Sequence, residues 1–463
     1  METYQLQEQD FIDILEDELI LAMGCTEPSA IAYCSASAVS LLGNLPEEMS
    51  VTVSGNMIKN AKSVVVPNTD GMKGIPAAAA AGVYAGAPEK KLEILSALTD
   101  ETRREAQEYL EQHEIPVKLY PGKEKLYIRV DVRSGDQSAV CAIADHHTNI
   151  VYEERNGKVL RGHLQDGSEE SVLQSAEQPS GNTSGEKDRC QKAAGDTKEG
   201  QSSRRRPSLD ARKRCLSVRN ILDFAGSVSI EAVKPVLDPQ IACNTRIARE
   251  GMKNSWGANI GKTILTSCGN AVRNRAKAYA AAGSDARMSG CEMPVVINSG
   301  SGNQGITVSV PVIVYGEELG VSKDMIYRAL LVSNLISVHI KTGIGALSAF
   351  CGAVSAGCAA ACGIAYLHDG SYECISSTLT NSLATSSGII CDGAKPSCAS
   401  KIAISVESGL LGYDMYCRGN NFQGGDGIVG TGVESTISNV SDIGAEGMNV
   451  TDQEILKIMT QEP

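Results

Sequence analysis

TGIGALSAFCGAVSAGCAAACGIAYL, residues 342–367, is the stretch of the chain that decides the fold. It carries no charged residue and exceeds the roughly 20 apolar residues that a membrane helix needs. However, it consists mainly of Gly, Ala, Ser and Cys, so its insertion into lipid would be unfavourable, and the chain has no second segment of this kind. The stretch therefore predicts a buried central helix whose small side chains let neighbouring helices pack at short distance.

The composition of the whole chain agrees with a core of small side chains. Of 463 residues, 46 are Gly and only 4% are aromatic, and the length is sufficient for two or three domains. The net charge of −13 argues against nucleic acid or an anionic membrane as the main partner. We therefore expect a small molecule as the partner, no nucleic acid and no membrane, and assembly into a homo-oligomer is left open.

The N-terminus and the cysteine content indicate a cytoplasmic protein. The first twenty residues, METYQLQEQDFIDILEDELI, are acidic where a secretory signal would have a basic segment followed by an apolar one. Fifteen cysteines in a reducing compartment are not expected to form a disulfide framework. They point instead to metal binding, catalysis or packing.

Residues 1–164 predict an α+β region. Helices are expected over 5–20 and from Thr26 to a stop at Gly43. Strand-like runs follow at 49–57 and 62–67, and residues 125–160 alternate like an antiparallel meander.

The remainder of the chain divides at a polar segment. Residues 165–214 are rich in Ser, Gly, Gln, Glu, Lys and Arg, and this composition predicts a disordered linker or insertion. Residues 215–463 are mainly helical in pattern, interrupted by β-branched, alternating residues over 293–314. The fold class is thus α+β, with the helix and antiparallel-sheet region followed by a mainly α-helical, Ala/Gly/Cys-rich domain.

The first candidate for chemistry is Cys25 in AMGCTEPSA. It directly precedes the expected helix start at Thr26, and a helix N-terminus lowers the pKa of a nearby thiol. Cys25 is therefore a candidate thiolate base or nucleophile, although a small residue in a turn explains the local sequence equally well. Cys34, on the same helix, is interpreted as a packing residue.

The second candidate is the group of C-terminal cysteines. Cys351, Cys358 and Cys362 follow one another in steps of seven and four, which keep to one side of a helix, so packing alone would explain them. A set of three widely spaced cysteines also suits a four-iron cluster, whereas the close cysteine pairs of zinc ribbons are missing. Cys391 and Cys398 enclose an Asp-Gly turn and a proline, where backbone can fold around a ligand, and this pattern favours function.

Glycine-rich loops at 53–60, 298–305 and 424–430 form the third candidate. None has the ending of a Walker loop or the surroundings of a dinucleotide loop. A tight turn would explain each of them, and four polar residues make the middle loop a candidate for binding a small polar substrate: Ser299, Ser301, Asn303 and Gln304. His339 and His368 are interpreted as structural.

Five stretches together carry a resemblance to a known family. They are LAMGCTEPSAIAY, SGNMIKNAKSVVVPNTDGMKGIP, VINSGSGNQGI, LSAFCGAVSAG and GIICDGAKPSCASKIA. The chain resembles the L-cysteine desulfidase family, long named UPF0597, which is related to the iron–sulfur L-serine dehydratase α chain. The resemblance covers nearly the whole chain outside 165–214.

The resemblance implies a [4Fe-4S] cluster held by Cys351, Cys391 and Cys398, with Cys25 as the catalytic base. It places Cys358 and Cys362 on the packing side. The implied reaction is the α,β-elimination of L-cysteine to pyruvate, ammonia and sulfide without pyridoxal phosphate. L-Serine is the alternative substrate for the same cluster chemistry. A non-catalytic metal- or cluster-binding redox sensor, and a helical protein whose cysteines only pack, are the alternatives outside that chemistry.

Overall fold

The protein is described by a computed structural model over residues 4–162, 206–345 and 347–461. The strands within these ranges are β1 (Leu21–Met23), β2 (Glu48–Val53), β3 (Val117–Leu119), β4 (Tyr127–Ser134), β5 (Gln137–Ala144), β6 (Ile150–Arg155), β7 (Lys158–Arg161) and β8 (Pro294–Val296). The helices before residue 162 are α1 (Glu8–Glu18), α2 (Thr26–Leu42), α3 (Gly55–Ala61), α4 (Gly74–Ala85) and α5 (Asp100–Gln112), with a 3₁₀ segment over Pro88–Ala97.

The helices after residue 206 make up most of the remaining chain. They are α6 (Leu209–Lys213), α7 (Val218–Ser227), α8 (Ile230–Lys253), α9 (Ile260–Cys268), α10 (Val272–Met288), α11 (Gly302–Leu319), α12 (Lys323–Ile344), α13 (Gly352–His368), α14 (Tyr372–Ser386), α15 (Cys398–Cys417), α16 (Val433–Asp442) and α17 (Asn449–Gln461), with a π-helical turn over Ile443–Gly447. The predicted α+β class, a helix and sheet region followed by a helical region, is confirmed.

The larger sheet has the strand order β3-β2-β4-β5-β6-β7 and is antiparallel except for the parallel pair β2 and β3. The expected meander is β4 to β7, with turns at 135–136 and 156–157 where Gly135, Asn156 and Gly157 have positive φ. Helix α2 packs on this sheet and ends, as predicted, at Gly43 in the left-handed conformation (φ 86°). It also lies close to α4, because a Cβ at Gly82 would stand 2.3 Å from the carbonyl oxygen of Ala32.

Helix α13 is the centre of the helical part and packs against α11, α12, α14 and α15. Its small residues bring backbones together: a Cβ on Gly357 would lie 2.6 Å from a backbone carbon of Ser405 in α15, and one on Gly363 would lie 2.8 Å from the carbonyl oxygen of Ala329 in α12. Cys358 and Cys362, on the same helix, are fully buried. The predicted close packing of a buried central helix is therefore seen over 352–368.

The N-terminal part of the predicted central helix does not belong to that helix. Helix α12 ends at Ile344, where Gly345 has a φ of 93°, and α13 starts only at Gly352. The stretch 342–367 is thus not one helix: α12 ends at Ile344, and a loop over 347–351 leads into α13. Cys351 ends that loop as the N-cap of α13, so it does not share the buried helix face of Cys358 and Cys362.

Three further local expectations are wrong. Residues 302–314 belong to α11 despite their β-branched alternation, because the segment is buried on nearly all sides and packing overrides propensity. Residues 55–61 form α3 rather than strand or loop. Residues 62–67 form no strand; Val65 makes an isolated bridge with Lys73.

The two parts of the chain are joined by backbone pairing. Strand β1 pairs with β8 in an antiparallel register that sets Ala22 opposite Val295. Most of the predicted linker 165–214 lies outside the described residues, and its described end contains α6, where Arg212 bonds Asp10 and Asp13 of α1. The domain boundaries at 164 and 214 stay predictions. Within the described ranges, no helix combines the length and the apolar character that a membrane crossing needs.

Candidate active site

One cavity collects the eight residues that the sequence predicted as catalytic, cluster-binding or substrate-binding. It encloses about 780 Å³ of space free of protein atoms, part of it open to solvent. The predicted residues that line it are Cys25, Ser299, Ser301, Asn303, Gln304, Cys351, Cys391 and Cys398. These residues come from four distant segments, and the fold brings all four to the same place.

Four helices begin at this cavity. Cys25 is the N-cap of α2, Ser301 that of α11 and Cys351 that of α13, while Cys398 is the first residue of α15. No side chain within the described ranges caps any of the four. The first two N–H groups of α15 bond the carbonyl oxygens of Lys395 and Pro396, whereas those of α2, α11 and α13 are left for other acceptors. Helix N-termini carry partial positive charge, and their convergence makes the cavity a favourable place for anions and thiolates.

A short backbone bridge holds Cys351 beside Cys391. The N–H of Cys351 donates to the carbonyl oxygen of Ile389 at 3.1 Å, and the N–H of Cys391 donates to that of Ala349 at 2.7 Å. Phe350 and Ile390 form an isolated antiparallel bridge between these two bonds. Two loops that precede α13 and α15 are thereby fixed to each other, and both present a thiol to the cavity.

The Asp-Gly turn brings Cys398 to the same point. Gly393 has a φ of 95°, and a Cβ there would stand 2.4 Å from the carbonyl oxygen of Lys59, so only glycine fits. The Cys398 Sγ accepts a bond from the N–H of Lys395 at 3.5 Å and donates to the Gly393 carbonyl oxygen at 3.6 Å. The turn therefore folds back on Cys398.

Cations and hydrogen bonds favour a thiolate among these cysteines. A hydrogen bond from Cys351 lowers the pKa of Cys391, and although burial opposes this, Lys59 and Lys341 reinforce it and hold the pKa below its ordinary value. Burial lowers the pKa of Lys341 to about 8. Lys59 is buried and forms an ion pair of 2.5 Å with Asp452 of α17.

Cys25 contradicts the expectation of a lowered pKa. Burial raises the pKa of this thiol well above its ordinary value, and the nearby Glu27 carboxylate adds to the effect. The Cys25 Sγ donates to Glu27 Oε2 at 3.0 Å. The helix N-terminus is present as predicted, but burial of the thiol, together with a buried carboxylate in the first turn of the same helix, outweighs it. The free site therefore holds Cys25 as a thiol.

Glu27 is the centre of a buried hydrogen-bond network. Its carboxylate also accepts bonds from Thr26 Oγ1 and from Asn60 Nδ2, each at 3.0 Å. Burial raises the pKa of Glu27, but His147, the Cys25 thiol and Arg287 outweigh it, and the net pKa lies below its ordinary value. Glu27 is thus ionised at neutral pH.

The loop before α11 and the first turn of that helix contribute polar groups, and some of these groups have no partner among the described residues. Ser299 donates to Asn298 Oδ1 at 3.0 Å. Asn303 Oδ1 and Gln304 Oε1 are buried and accept no hydrogen bond from the described residues. The Gln304 side chain lies against Gly352, where a Cβ would stand 2.6 Å from its amide carbon. Acceptors of this kind are expected where a bound ligand supplies donors.

Other candidates lie outside the cavity lining. Burial raises the pKa of both Cys358 and Cys362, whose sulfurs contact Ser386 and the carbonyl oxygen of Ile375 inside the helical core. His339 pairs with Glu434 at 2.7 Å, and His368 stacks on Tyr413. The loop at 424–430 contributes no residue to the lining.

Sequence reasoning missed several polar residues of the cavity, among them Glu27, Lys59, Asn60, His147 and Arg287. Glu27 is part of the GCTEP stretch, and Lys59 and Asn60 are part of the glycine-containing stretch 53–60, so these two segments carried a signal. His147 lies in the turn between β5 and β6, and Arg287 lies in the last turn of α10. No local pattern marks either of them.

Cys351, Cys391 and Cys398 offer a donor set of three thiols. In the described part of the chain no three His, Cys, Asp or Glu side chains converge closely enough to bind one metal ion. A cluster of several irons is reached by thiolates that stand further apart, and soft thiolates are its usual ligands. The residues present fit such a group: three thiols on one cavity, beside two buried lysines and the uncapped N-terminus of α13.

Comparison with known proteins gives matches along almost the whole chain. Residues 89–457 match the family described as serine dehydratase alpha chain. A UPF0597 protein of Desulfitobacterium hafniense is 49% identical over 459 residues, covering 99% of this chain and 98% of the relative. UPF0597 proteins of Lachnoclostridium phytofermentans and Treponema denticola are 45% and 41% identical, covering 97% and 98% of this chain and 98% of each relative.

Proposed function

This chain belongs to the serine dehydratase α-chain family, together with the UPF0597 proteins, and on that premise we propose that it is an iron–sulfur lyase that acts on L-cysteine. The family supports a lyase of the dehydratase type. The proposed reaction is α,β-elimination: the α-proton leaves Cα, the Cβ–S bond breaks with its electron pair going to sulfur, and hydrolysis of the resulting aminoacrylate gives pyruvate and ammonia.

The observation that carries the proposal is the shared cavity of four cysteines. Cys351, Cys391 and Cys398 line it at the N-termini of α13 and α15, and Cys25 lines it at the N-terminus of α2. Three thiols for a [4Fe-4S] cluster and a fourth for proton transfer are the parts that this reaction needs. When bound, such a cluster supplies an iron without a protein ligand, a Lewis acid for the leaving heteroatom.

The residues of the chain have separate roles in the proposed reaction. Lys59 and Lys341, buried next to Cys391, offset the negative charge of the thiolates. The Asp-Gly turn and the bridge between Phe350 and Ile390 fix the positions of the three thiols. Polar groups of residues 299–304 are available for the substrate's carboxylate or amino group.

Cys25 is the proposed base for the α-proton, and it has to lose its own proton first. In the free site burial and Glu27 oppose this and raise the pKa of Cys25. A bound substrate must therefore alter the charge balance around Glu27 before Cys25 can act, since a positive group beside a carboxylate weakens its repulsion of a thiolate. Such a requirement restricts proton abstraction to the occupied site.

L-Serine is the second candidate substrate. The family description itself names serine dehydratase, and L-serine presents a β-oxygen where L-cysteine presents a β-sulfur. Both amino acids have the same α-ammonium and α-carboxylate groups, so the polar residues of the cavity would hold them alike. Hydroxide is the poorer leaving group, and the comparison of the two rates separates the two assignments.

Anaerobic purification followed by an iron count, an absorption spectrum and product assays tests the proposal. We expect about four irons per chain and release of pyruvate, ammonia and sulfide from L-cysteine. Pyruvate from L-serine at a higher kcat/KM than from L-cysteine would assign the serine reaction instead. Iron without any turnover would support the cluster-binding sensor. A protein that stays iron-free after anaerobic reconstitution would refute the cluster.

A further inference from the structure

The cavity contains one buried carboxylate and one buried guanidinium that are not paired with each other. Glu27 is 8% exposed and Arg287 is 4% exposed, and both line the cavity. Among the described residues no ion pair within 4.0 Å involves either of them. Arg287 lowers the pKa of Glu27 through space without forming an ion pair with it. Buried charges without a close ion-pair partner are costly, so each is expected to meet an opposite charge on a ligand.

The carboxylate side is built to receive hydrogen-bond donors. Because Asn60 donates its Nδ2 to Glu27 Oε1, the orientation of this amide is fixed, and its Oδ1 is left buried without a partner in the described chain. Asn60 Oδ1 lies beside Gly393, at 3.0 Å from the place where a Cβ would be. An ionised carboxylate and an unpartnered amide oxygen side by side suit an ammonium group, which has three donors and one positive charge.

The guanidinium side is built to receive an anion. Arg287 Nε donates to the carbonyl oxygen of Gly24 at 2.9 Å, which anchors the side chain and leaves its two terminal nitrogens without a bond to the described residues. Gly302 lets the guanidinium lie against the first turn of α11, because a Cβ at that position would stand 2.3 Å from Nε. The uncapped N-terminus of this 18-residue helix and the guanidinium fork together suit a carboxylate.

We propose that the cavity binds its substrate as an α-amino acid zwitterion, with the α-ammonium on Glu27 and Asn60 and the α-carboxylate on Arg287 and the N-terminus of α11. The assignment rests on the proposed function and names the residues that select its substrate class. It places Cα close to Cys25, because the Cys25 thiol bonds the same Glu27 carboxylate. The bound ammonium also supplies the positive group beside Glu27 that Cys25 needs before it can act.

Binding measurements with three ligands of nearly equal size test the two contacts separately. L-Alanine has both charged groups and no leaving group, L-lactate has a hydroxyl in place of the ammonium, and L-alaninamide has an amide in place of the carboxylate. Dissociation constants are measured by calorimetry, or by ligand-observed NMR where binding is weak, on the anaerobically prepared protein. We expect L-alanine to bind at least tenfold more tightly than either analogue.

The variants Arg287→Met and Glu27→Gln should then give crossed patterns of binding: each variant loses affinity for L-alanine but not for the analogue that lacks the group its residue contacts. Arg287→Met should weaken the binding of L-alanine at least tenfold and leave the binding of L-alaninamide unchanged. Glu27→Gln should also weaken the binding of L-alanine at least tenfold, but it should leave the binding of L-lactate unchanged. Arg287→Lys keeps the charge without the fork and should give an intermediate loss, which also serves if Arg287→Met does not fold.

Matched controls come from charged residues outside the cavity. Arg129→Met removes a half-buried guanidinium that pairs with Asp131 on strand β4, and Glu407→Gln removes a carboxylate that pairs with Arg273. Both should leave the three dissociation constants unchanged. Equal binding of all three ligands by the wild-type protein, or equal weakening of all three by a cavity variant, would overturn the assignment. If the two variants give the crossed binding patterns but the protein releases no pyruvate, the proposed function is refuted and the assignment of an amino acid binding site stands.

Discussion

Cys351 and Cys358 are seven residues apart, and yet they lie in different chemical surroundings. Cys351 ends a loop as the N-cap of α13 and faces the cavity, where a cysteine neighbour and buried lysines lie close by. Cys358 lies two turns into the helix and is fully buried, with its sulfur against the hydroxyl of Ser386 in the helical core. The comparison teaches that position relative to a helix end, rather than the spacing of the cysteines, separates a candidate ligand from a packing residue.

Two glycines differ in the same way, one lying at the cavity and the other in the middle of a helix. Gly393 is close to Lys59 and Asn60 and lets the turn between Cys391 and Cys398 form. Gly357 is in the middle of α13 and lets the backbone of α15 approach. One glycine serves the geometry of the site and the other serves the packing that supports it.

The largest expected effect is the loss of bound iron when a cysteine of the cavity, rather than a cysteine of the helical core, is replaced. Cys391→Ser or Cys351→Ser should lose most of the bound iron, from about four per chain to fewer than about one, because hydroxyl oxygen is a poor cluster ligand. The matched control is Cys358→Ser on the same helix as Cys351, which should keep its iron. Iron analysis and absorption spectra of anaerobic preparations measure the iron content per chain. Equal iron contents in Cys351→Ser and Cys358→Ser would show that Cys351 is not a cluster ligand.

The second effect separates proton transfer from cluster binding. Cys25→Ala should retain its iron and lower kcat for pyruvate release by about 10²–10⁴-fold, the usual contribution of a positioned base. Cys34→Ala is the control on the same helix, since the Cys34 thiol is buried against the sheet and bonds the carbonyl oxygen of Cys141. Cys34→Ala should keep kcat within about twofold of the wild type. Full turnover by Cys25→Ala would refute its role as the base.

The smallest effect concerns packing alone. Gly357→Ala should lower the free energy of unfolding by about 1–3 kcal/mol, because the added methyl group meets the backbone of Ser405. Urea unfolding of the anaerobic protein measures this, with iron per folded chain unchanged. Gly226→Ala on helix α7 is the control: a Cβ there meets nothing within 4 Å, so stability should be unchanged or slightly higher. Equal stability of the two variants would contradict the close approach of α13 and α15.

Much of the fold could be predicted from the sequence because it depends on local patterns. The alternation over 125–160 predicted the meander, and Gly43 predicted the end of α2. The break between α12 and α13 was missed because residues 342–367 are uniformly small and apolar, and only a positive φ at Gly345 marks the end of the first helix. The segment 302–314 was missed because burial on all sides removes the contrast between helical and strand periodicity.

The candidate site was predictable where its residues stand in distinctive short motifs. Cys25, Cys391 and Cys398 each lie in such a motif, and the structure brings all three to one cavity with Cys351. Their roles as base and ligands stay predictions. Arg287 and His147 could not be found in this way, because each lies in an ordinary local sequence and reaches the cavity through the packing of α10 and the turn between β5 and β6.

The sequence by itself determined the α+β class, the central helix of small residues and the motifs that carry the cysteines, since each depends on residues that are neighbours in the chain. Only the tertiary structure decided which cysteines share a cavity, that Cys25 keeps its proton in the free site, and that Glu27 and Arg287 are buried there without an ion-pair partner in the described chain. The physical reason is that burial and the field of distant charges set the protonation and the partners of a side chain, and neither can be read from local sequence.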